Sequence, residues 1–368
     1  MINSRQGGGA AERTVQTSRF LAKSGVDCTI LTMDLGLTQE CLKVLNGVKV
    51  TTLTCLFKRF YLPKFSYSKI KNIVAESDVI HLMGHWAFLN AMVYLIVRLL
   101  NKPYVVCPAG MLPVYGRSKM IKKLYNSLIG NSIIRNANGY IAISLNEIDQ
   151  FLEYGIEKEK VSIIPNGIDP EDYKIKNSIN FKKKYGLGDD PFLLFMGRLN
   201  PIKGPDLLLN AFCNVKGKLN NYNLVFAGPD EGMLPVLKKI AINSGIEDRI
   251  YFTGYLEGEE KSSAYHAANL LAIPSRQEAM SIVVLEAGIT KTPVLITDQC
   301  GFDEVADING GRVVSASVDG LQNGLIEILK DSDELSLMGA NLQKYTRRHF
   351  IWDAVINKYI KLYQNILE

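Results

Sequence analysis

Short apolar runs of strand length alternate with stretches of helical period along almost the whole chain. In the first half, CTILTM, VKVTTLTCLF, DVIHLMG, PYVVCPAG, GYIAIS and VSIIP read as strands, each followed by a turn signal. Helical patterns fall between them, over 10–23, over 86–100 and in LNEIDQFLEYG. The second half restarts the pattern with PFLLFMG, NLVFAG, RIYFTG, NLLAIP and PVLITD. Strands that alternate with helices build parallel sheets covered on both faces, so each half is expected to form a doubly wound α/β domain. Asn166, Gly167 and Pro170 in IPNGIDPEDY follow a complete α/β half and mark the junction, which gives domains over 1–168 and 173–351. The chain closes on an amphipathic helix, 352–368, whose Ile356, Tyr359, Ile360 and Tyr363 form one stripe that needs a partner.

Composition fits two cores. The 368 residues are 47% apolar and 21% charged, which is too long a chain for one ordinary core. Six cysteines are scattered without a C-x-x-C pair, so neither a zinc site nor a disulfide framework is suggested, and a reducing, cytoplasmic setting is expected. The most apolar stretch, 86–100, is shorter than a membrane span and carries Arg98, and it reads as a buried helix. Charge is unevenly spread: the first 150 residues hold 18 Lys and Arg against 8 Asp and Glu, and the rest hold 24 against 29. Much of the excess lies in FKRFYLPKFSYSKIK and GRSKMIKKLYNSLIGNSIIR, where aromatic and aliphatic residues are interleaved with cations. Such stretches suit an anionic membrane surface or a phosphorylated substrate, and they equally suit an ordinary solvated helix face.

The amino end departs from the α/β pattern. Gly7, Gly8 and Gly9 would let backbone approach a phosphate or a sugar, but no strand stands before them. That strand normally lies in the middle of a doubly wound sheet, and Met1 and Ile2 could be only its last residues. The chain is therefore expected to be short at this end, with Met1 internal to a longer natural sequence or the start of a truncated one. Asp34 after the second strand invites a dinucleotide reading, yet the G-x-G-x-x-G spacing is absent.

The stretch PSRQEAMSIVVLEAGI, 274–289, follows the apolar run NLLAIP and turns from loop chemistry into an apolar helix. Ala279, Met280 and Ser281 would present backbone N–H groups at the helix start, a site suited to phosphate. Glu278 precedes the helix and can accept from hydroxyls beside that phosphate, while Glu286 sits about two turns in. Either carboxylate alone also fits an ordinary helix, Glu278 as a charge on the dipole and Glu286 as a solvated residue. Arg198 and Lys203 in GRLNPIKG follow the strand PFLLFMG, and two cations at a strand's carboxyl end suit a diphosphate, although loop charges are common at surfaces. His81 and His85 flank the end of DVIHLMG without a third metal ligand. The DSD at 331–333 follows a helix and is expected to cap the next one.

GRLNPIKG followed some 75 residues later by E-x7-E, with NGID at the junction, resembles the family-4 retaining glycosyltransferases of GT-B fold. AKSGVDCTILT, IAIS with Glu147, and CGFDEV are similar to further segments of that family, so the resemblance spans nearly the whole chain. It implies two Rossmann-like domains facing each other across a cleft, with the first strand of the N-terminal domain missing and the helix 352–368 crossing back to that domain. The N-terminal domain would be the acceptor side and the C-terminal domain the nucleotide-sugar side. By the same resemblance Arg198 and Lys203 bind the donor diphosphate, Glu278 the hydroxyls of the transferred sugar and Glu286 the nucleotide ribose. Gly8, Gly9, His85 and Ala109 would lie on the acceptor side. The implied partners are a UDP-, GDP- or ADP-sugar and a glycan or lipid-linked acceptor, with a possible anionic membrane surface and no nucleic acid, metal or cofactor. Two further departures stand out: Ala279-Met280-Ser281 replaces a glycine-rich E-G-x-G, and Ala109 stands where many relatives carry His or Arg. The competing readings are a sugar-nucleotide epimerase or phosphorylase on the same fold, and a non-catalytic nucleotide-sugar-binding partner.

Overall fold

The structure, a computed structural model, describes residues 2, 4–114, 118–219 and 221–368. Met1 lies outside the described residues, as do Gly116 and Arg117 of the second basic stretch, while Ile2, the other residue of the expected strand end, is described and belongs to no strand. The chain forms two compact units: Met1–Gly167 with Trp352–Glu368, and Ile168–Ile351. Each is an α/β unit with parallel main sheets, as the alternating pattern predicts for two Rossmann-like domains.

In unit 1 the strands β1 (Thr29–Met33), β2 (Lys49–Leu53), β3 (Ile80–Met83), β4 (Tyr104–Cys107), β5 (Gly139–Ala142) and β6 (Val161–Ile163) are all parallel, but they form two separate sheets. One sheet pairs β1 with β2 and the other runs β3-β4-β5-β6. A small antiparallel hairpin, Cys55–Phe57 with Leu62–Pro63, follows β2. The core of the larger sheet is built from Val105, Val106, Ile141 and Ala142 on strands buried along their whole length, as both-sided coverage by helices requires.

Two sequence expectations are corrected here. The glycines do not form an open loop: the span Ser4–Lys23 consists of two helical segments that meet at Gly8, whose φ of +60° and ψ of −148° are not helical, so the helix expected over 10–23 is present and a shorter helical segment precedes it. Gly7 and Gly9 continue the helical run because a single residue of positive φ is enough to kink it. The helix expected over 86–100 runs Phe88–Leu100 and is amphipathic instead of buried, with Leu95 and Leu99 exposed.

The last helix, Trp352–Leu367, packs on the first, with Trp352 stacked on Phe20 at 5.6 Å. Gly167 faces the same indole so closely that a β-carbon there would stand 2.4 Å from it, which is why the junction needs glycine. Arg13 fastens three segments: its guanidinium donates to Asn166 Oδ1 at 2.5 Å, to the Ile164 carbonyl at 2.7 Å and to the Tyr359 hydroxyl at 2.5 Å.

Two histidines make this unit sensitive to acid. Burial, with the Arg13 charge beside it, lowers the pKa of His81 to about 3, and burial lowers that of His85 to about 4 against the hydrogen bond it donates to Asn126 Oδ1, which acts the other way. Both rings are therefore neutral when folded, while the unfolded chain takes up protons below about pH 6.5. Stability is whole above that pH and declines as the pH falls toward 4, by on the order of 3 kcal/mol for each ring. Hydrogen exchange at β3 and β4 is expected to accelerate over this window, and a flat profile from pH 7 to 4 would contradict the assignment.

In unit 2 the strands β7 (Phe192–Met196), β8 (Asn223–Ala227), β9 (Ile250–Gly254), β10 (Leu270–Ile273), β11 (Val294–Thr297) and β12 (Gly311–Val314) form one parallel sheet in the order β9-β8-β7-β10-β11-β12. From β7 the chain builds outward in one direction, then returns to β7's other side with β10 and builds the opposite way. The strand order reverses between β7 and β10, which are in register at Leu193 with Leu270 and Leu194 with Leu271. Asp331 caps the helix Ser332–His349, accepting from the N–H groups of Asp333 and Glu334.

Candidate functional site

Ligands of open α/β sheets sit at the carboxyl ends of the strands where the order reverses. In unit 2 the two loops at that point are the ones singled out in the sequence: GRLNPIKG leaves β7, and PSRQEAM leaves β10. The first passes through a 3-10 turn, Pro201–Lys203, into the helix Pro205–Val215. Asn200 starts that turn by accepting the Lys203 N–H on its side chain at 3.0 Å. The second runs through Glu278 into the helix Ile282–Ile289.

Lys203 and Glu278 meet across the two loops, Nζ to Oε1 at 2.9 Å, with side-chain exposures of 25% and 10%. The Ser275 hydroxyl also donates to Glu278. Arg198 does not join this pair. Its Nη1 donates to Glu231 at 3.0 Å, and Asn200 donates to the other oxygen of the same carboxylate at 2.7 Å. Glu286 is 3% exposed, so it is not a solvated helix residue. It is held by Lys261 Nζ and the Tyr265 hydroxyl, each at 2.6 Å. Burial, with the Glu286 charge beside it, raises Tyr265 well above the usual phenol range, so the hydroxyl stays a donor. The two carboxylates of E-x7-E thus occupy different polar settings.

The helix start differs from expectation as well. Ser281 precedes the helix, and its N–H is taken by the Cys300 carbonyl at 3.2 Å, so it is not available to an anion. Among the described residues the N–H groups of Ala279, Ile282 and Val283 donate to no group. The helix is also buried over nearly its whole length and not along one face, from Val284 to Ile289.

Several residues that shape the site were not found from the sequence. Arg276 donates to both oxygens of Asp206, at 2.9 and 2.6 Å, and to the Pro201 carbonyl, and so clamps the two loops together. Two glycines let backbone pass where a side chain could not. At Gly228, φ +146°, a β-carbon would stand 1.8 Å from the Gly197 carbonyl oxygen, next to Arg198. At Gly301, φ +62°, it would stand 2.1 Å from the Ala279 carbonyl oxygen. Glu231 and the Lys261–Tyr265 pair complete the set; only that pair had a local signal, two polar residues four apart on one helix.

The residues expected on the acceptor side all lie in unit 1. His85 is 1% exposed, its Nε2 is 2.8 Å from Asn126 Oδ1, and its Nδ1 has no partner among the described residues. Ala109 holds φ +51°, an uncommon conformation for a residue with a β-carbon. The loop it belongs to is pinned by the fully buried Glu147, which accepts the N–H groups of Gly110 and Ile143. Gly8 and Gly9 lie in the kinked first helix. Among the described residues no group of three or more His, Cys, Asp or Glu is placed to hold a metal ion.

Comparison with known proteins bears on this arrangement. The model of Glycosyltransferase Family 4 matches residues 7–172, and that of Glycosyl transferases group 1 matches residues 177–348. An uncharacterized glycosyltransferase of Methanocaldococcus jannaschii is 29% identical over 222 residues, covering 58% of this chain and 56% of its own. A GDP-mannose-dependent alpha-(1-6)-phosphatidylinositol monomannoside mannosyltransferase of Mycobacterium tuberculosis is 29% identical over 206 residues, covering 53% of each chain. The chain spans about half the length of these curated relatives. Among solved structures, Anabaena HepE in complex with UDP-glucose superposes with a TM-score of 0.81 at 17% identity, covering 99% of this chain and 98% of that one. Sucrose-phosphate synthase of Thermosynechococcus elongatus gives 0.76 at 18% identity, covering 98% and 94%. At such identities the likeness is one of fold.

Proposed function

Because this chain belongs to the family 4 glycosyltransferases, we propose that it moves a sugar from a nucleotide-sugar donor to a glycan or lipid-linked acceptor with retention of configuration. The observation that carries the reading is the Lys203–Glu278 pair at the point where the strand order of unit 2 reverses. There, a cation and a hydroxyl acceptor stand together at a helix start, the chemistry that a sugar diphosphate requires. Arg198 and Lys203 hold the diphosphate, Glu278 the transferred sugar and Glu286 the ribose. Domain 173–351 is then the donor side and domain 1–168 the acceptor side.

In the transfer step the bond from the anomeric carbon to the leaving diphosphate oxygen breaks, and the acceptor oxygen attacks on the same face. The leaving diphosphate takes the acceptor proton, so no protein base is needed, consistent with alanine at 109. Preorganised cations and helix N–H groups offset the charge that builds on the leaving group, which is the service a metal would otherwise perform. A role in assembling surface polysaccharide or glycolipid follows from the acceptor class, as does work at the cytoplasmic face of a membrane. The relatives support nucleotide-sugar chemistry through their names: one uses GDP-mannose, and HepE was crystallised with UDP-glucose.

The test is to offer UDP-, GDP- and ADP-sugars with inositol- and glycan-type acceptors, and to read free nucleotide and the anomeric configuration of the product by NMR. Nucleotide release only with acceptor present, and retained configuration, is expected. Isomerised donor without acceptor would instead identify an epimerase. A phosphorylase would show itself by dependence on inorganic phosphate or by bound pyridoxal phosphate, and donor binding without turnover would mark a non-catalytic partner.

Unit 1 also has a surface suited to anionic lipid. Leu56, Phe57, Phe60 and Tyr61 are exposed on the hairpin beside Lys58 and Arg59, and Met120, Leu124 and Leu128 are exposed beside Lys119, Lys122 and Lys123. No helix among the described residues is long and apolar enough to cross a membrane. Binding to vesicles containing phosphatidylglycerol is expected to exceed that to neutral vesicles, and to weaken as salt rises from 50 to 500 mM, roughly, as screening shortens. Binding indifferent to lipid charge and salt would refute it.

A further inference from the structure

A second concave feature of unit 2 lies away from the loops described above. It is a cavity of about 270 Å3 at the far end of the helix that carries Glu286. That helix has eight residues, so its two ends are about 12 Å apart. Glu278 precedes one end; Thr290 and Lys291, which line the cavity, follow the other.

The charge around the cavity is one-sided. Lys176, Lys291 and Arg347 line it, and none makes an ion pair among the described residues. The only carboxylate in the lining, Glu171, is occupied by Lys174. Asp169, next along the chain from the Pro170 wall, is turned to the Glu171 N–H at 3.0 Å.

The most telling cation is Lys291, which holds φ +63°, a conformation that residues with a β-carbon seldom adopt. The turn that imposes it is buried and fully bonded. Thr290 Oγ1 bonds the Glu286 carbonyl at 3.0 Å, Thr292 Oγ1 bonds the Tyr265 carbonyl at 2.8 Å, and the Thr292 N–H reaches the Ala287 carbonyl at 2.9 Å. Behind it, Gly339 leaves no room for a β-carbon, which would stand 2.1 Å from the Lys291 carbonyl oxygen. The turn thus fixes the direction in which the exposed Lys291 side chain leaves the backbone, at the rim of a cavity where Lys176 and Arg347 add two more cations and the lining holds no free carboxylate to neutralise them.

We propose that this cavity binds a small phosphorylated molecule, its phosphate held by Lys176, Lys291 and Arg347. The volume lies just below the usual range for ligand pockets of about 300 to 1,000 Å3, which favours a small soluble anion over a polymer. The site is independent of the transfer chemistry proposed for Lys203 and Glu278.

His266 supplies a local readout. Its Nε2 lies 2.9 Å from the Tyr173 carbonyl, and burial, with the Lys176 charge near it, lowers its pKa below the ordinary value. A dianion beside Lys176 opposes that charge and raises the pKa again. The experiment follows the His266 imidazole by NMR in the full chain, titrated with inorganic phosphate and with glucose 6-phosphate against sodium chloride of equal ionic strength. A saturable rise in the His266 pKa with both phosphates and not with chloride is expected. Arg347→Gln, at an exposed helical position, and Lys291→Asn, which tolerates the positive φ, should each weaken the phosphate response by about tenfold, the loss of one charge-assisted hydrogen bond. The response should persist in Lys203→Ala. Its loss there, its survival in the Arg347→Gln, Lys291→Asn double variant, or an equal effect of chloride would overturn the proposal. So would a response confined to vesicles of phosphatidic acid with none to soluble phosphate.

Discussion

Lys203→Ala is expected to lower turnover by about 10²- to 10³-fold, the loss seen when one preorganised charge-stabilising donor is removed from an active site, and to weaken binding of the nucleoside diphosphate itself. Two effects combine. The ammonium would no longer offset charge on the leaving diphosphate, and Glu278, whose side chain is only 10% exposed, would keep the Ser275 hydroxyl as a neutral partner in place of its cation. A carboxylate left in that position without its cation draws in water, which displaces it from the sugar. Lys203→Ala, Glu278→Gln should therefore be less than additive, because the second change removes the charge that the first leaves unpaired. Glu278→Gln alone should act mainly on turnover, and Glu286→Gln, 3% exposed and bound to Lys261 and Tyr265, mainly on nucleoside binding. Calorimetry with UDP and GDP decides the matter: undiminished binding by Lys203→Ala would remove Lys203 from the diphosphate site.

Gly301→Ala should damage the same site without touching a charged residue. The new β-carbon would have to overlap the Ala279 carbonyl oxygen at 2.1 Å, and alanine would have to accept φ +62°. Backbone cannot move aside as the tip of a side chain can. The loop that begins at Glu278 is tied to this segment by two hydrogen bonds, Glu278 N–H to the Gln299 carbonyl and Ser281 N–H to the Cys300 carbonyl. Displacing residue 301 therefore displaces residues 278–281. A stability loss of about 2 to 4 kcal/mol is expected, from left-handed strain together with overpacking. Donor affinity should fall alongside it. Urea unfolding measures the first, and a variant as stable as the parent would show that the loop yields more easily than this geometry allows.

How far these features could be read from the residues depended on their range. The alternation of apolar runs with helical stretches is local, and it was enough for two parallel α/β domains. Lys203 and Glu278 were legible as candidates because each follows a strand end, and their meeting is a consequence of β7 lying beside β10. The partners of the other charges were not legible. Glu231 reaches Arg198 across 33 residues and Arg276 reaches Asp206 across 70, and no periodicity records such pairings. Gly228 and Gly301 carry no local mark, since what distinguishes them is a carbonyl oxygen brought close by another loop. The short helical segment ahead of Gly8 was not legible, because three consecutive glycines suggest a loop, whereas only Gly8 leaves the helical conformation.

The three bonds of Arg13 have a consequence for the order in which the chain can fold during synthesis. Arg13 emerges from the ribosome early, but its partner Tyr359 lies 346 residues later. Every contact within unit 2 is available once residue 351 has been made. Unit 1, although translated first, must wait for the final sixteen-residue helix before the guanidinium is satisfied and Phe20 meets Trp352. Long-range contacts of this kind slow closure, because the loop entropy is lost before the contact is gained. The usual vectorial order, amino-terminal domain first, is thereby inverted: the nascent chain holds an unfinished first domain, with a buried-to-be arginine still in water, while the second completes.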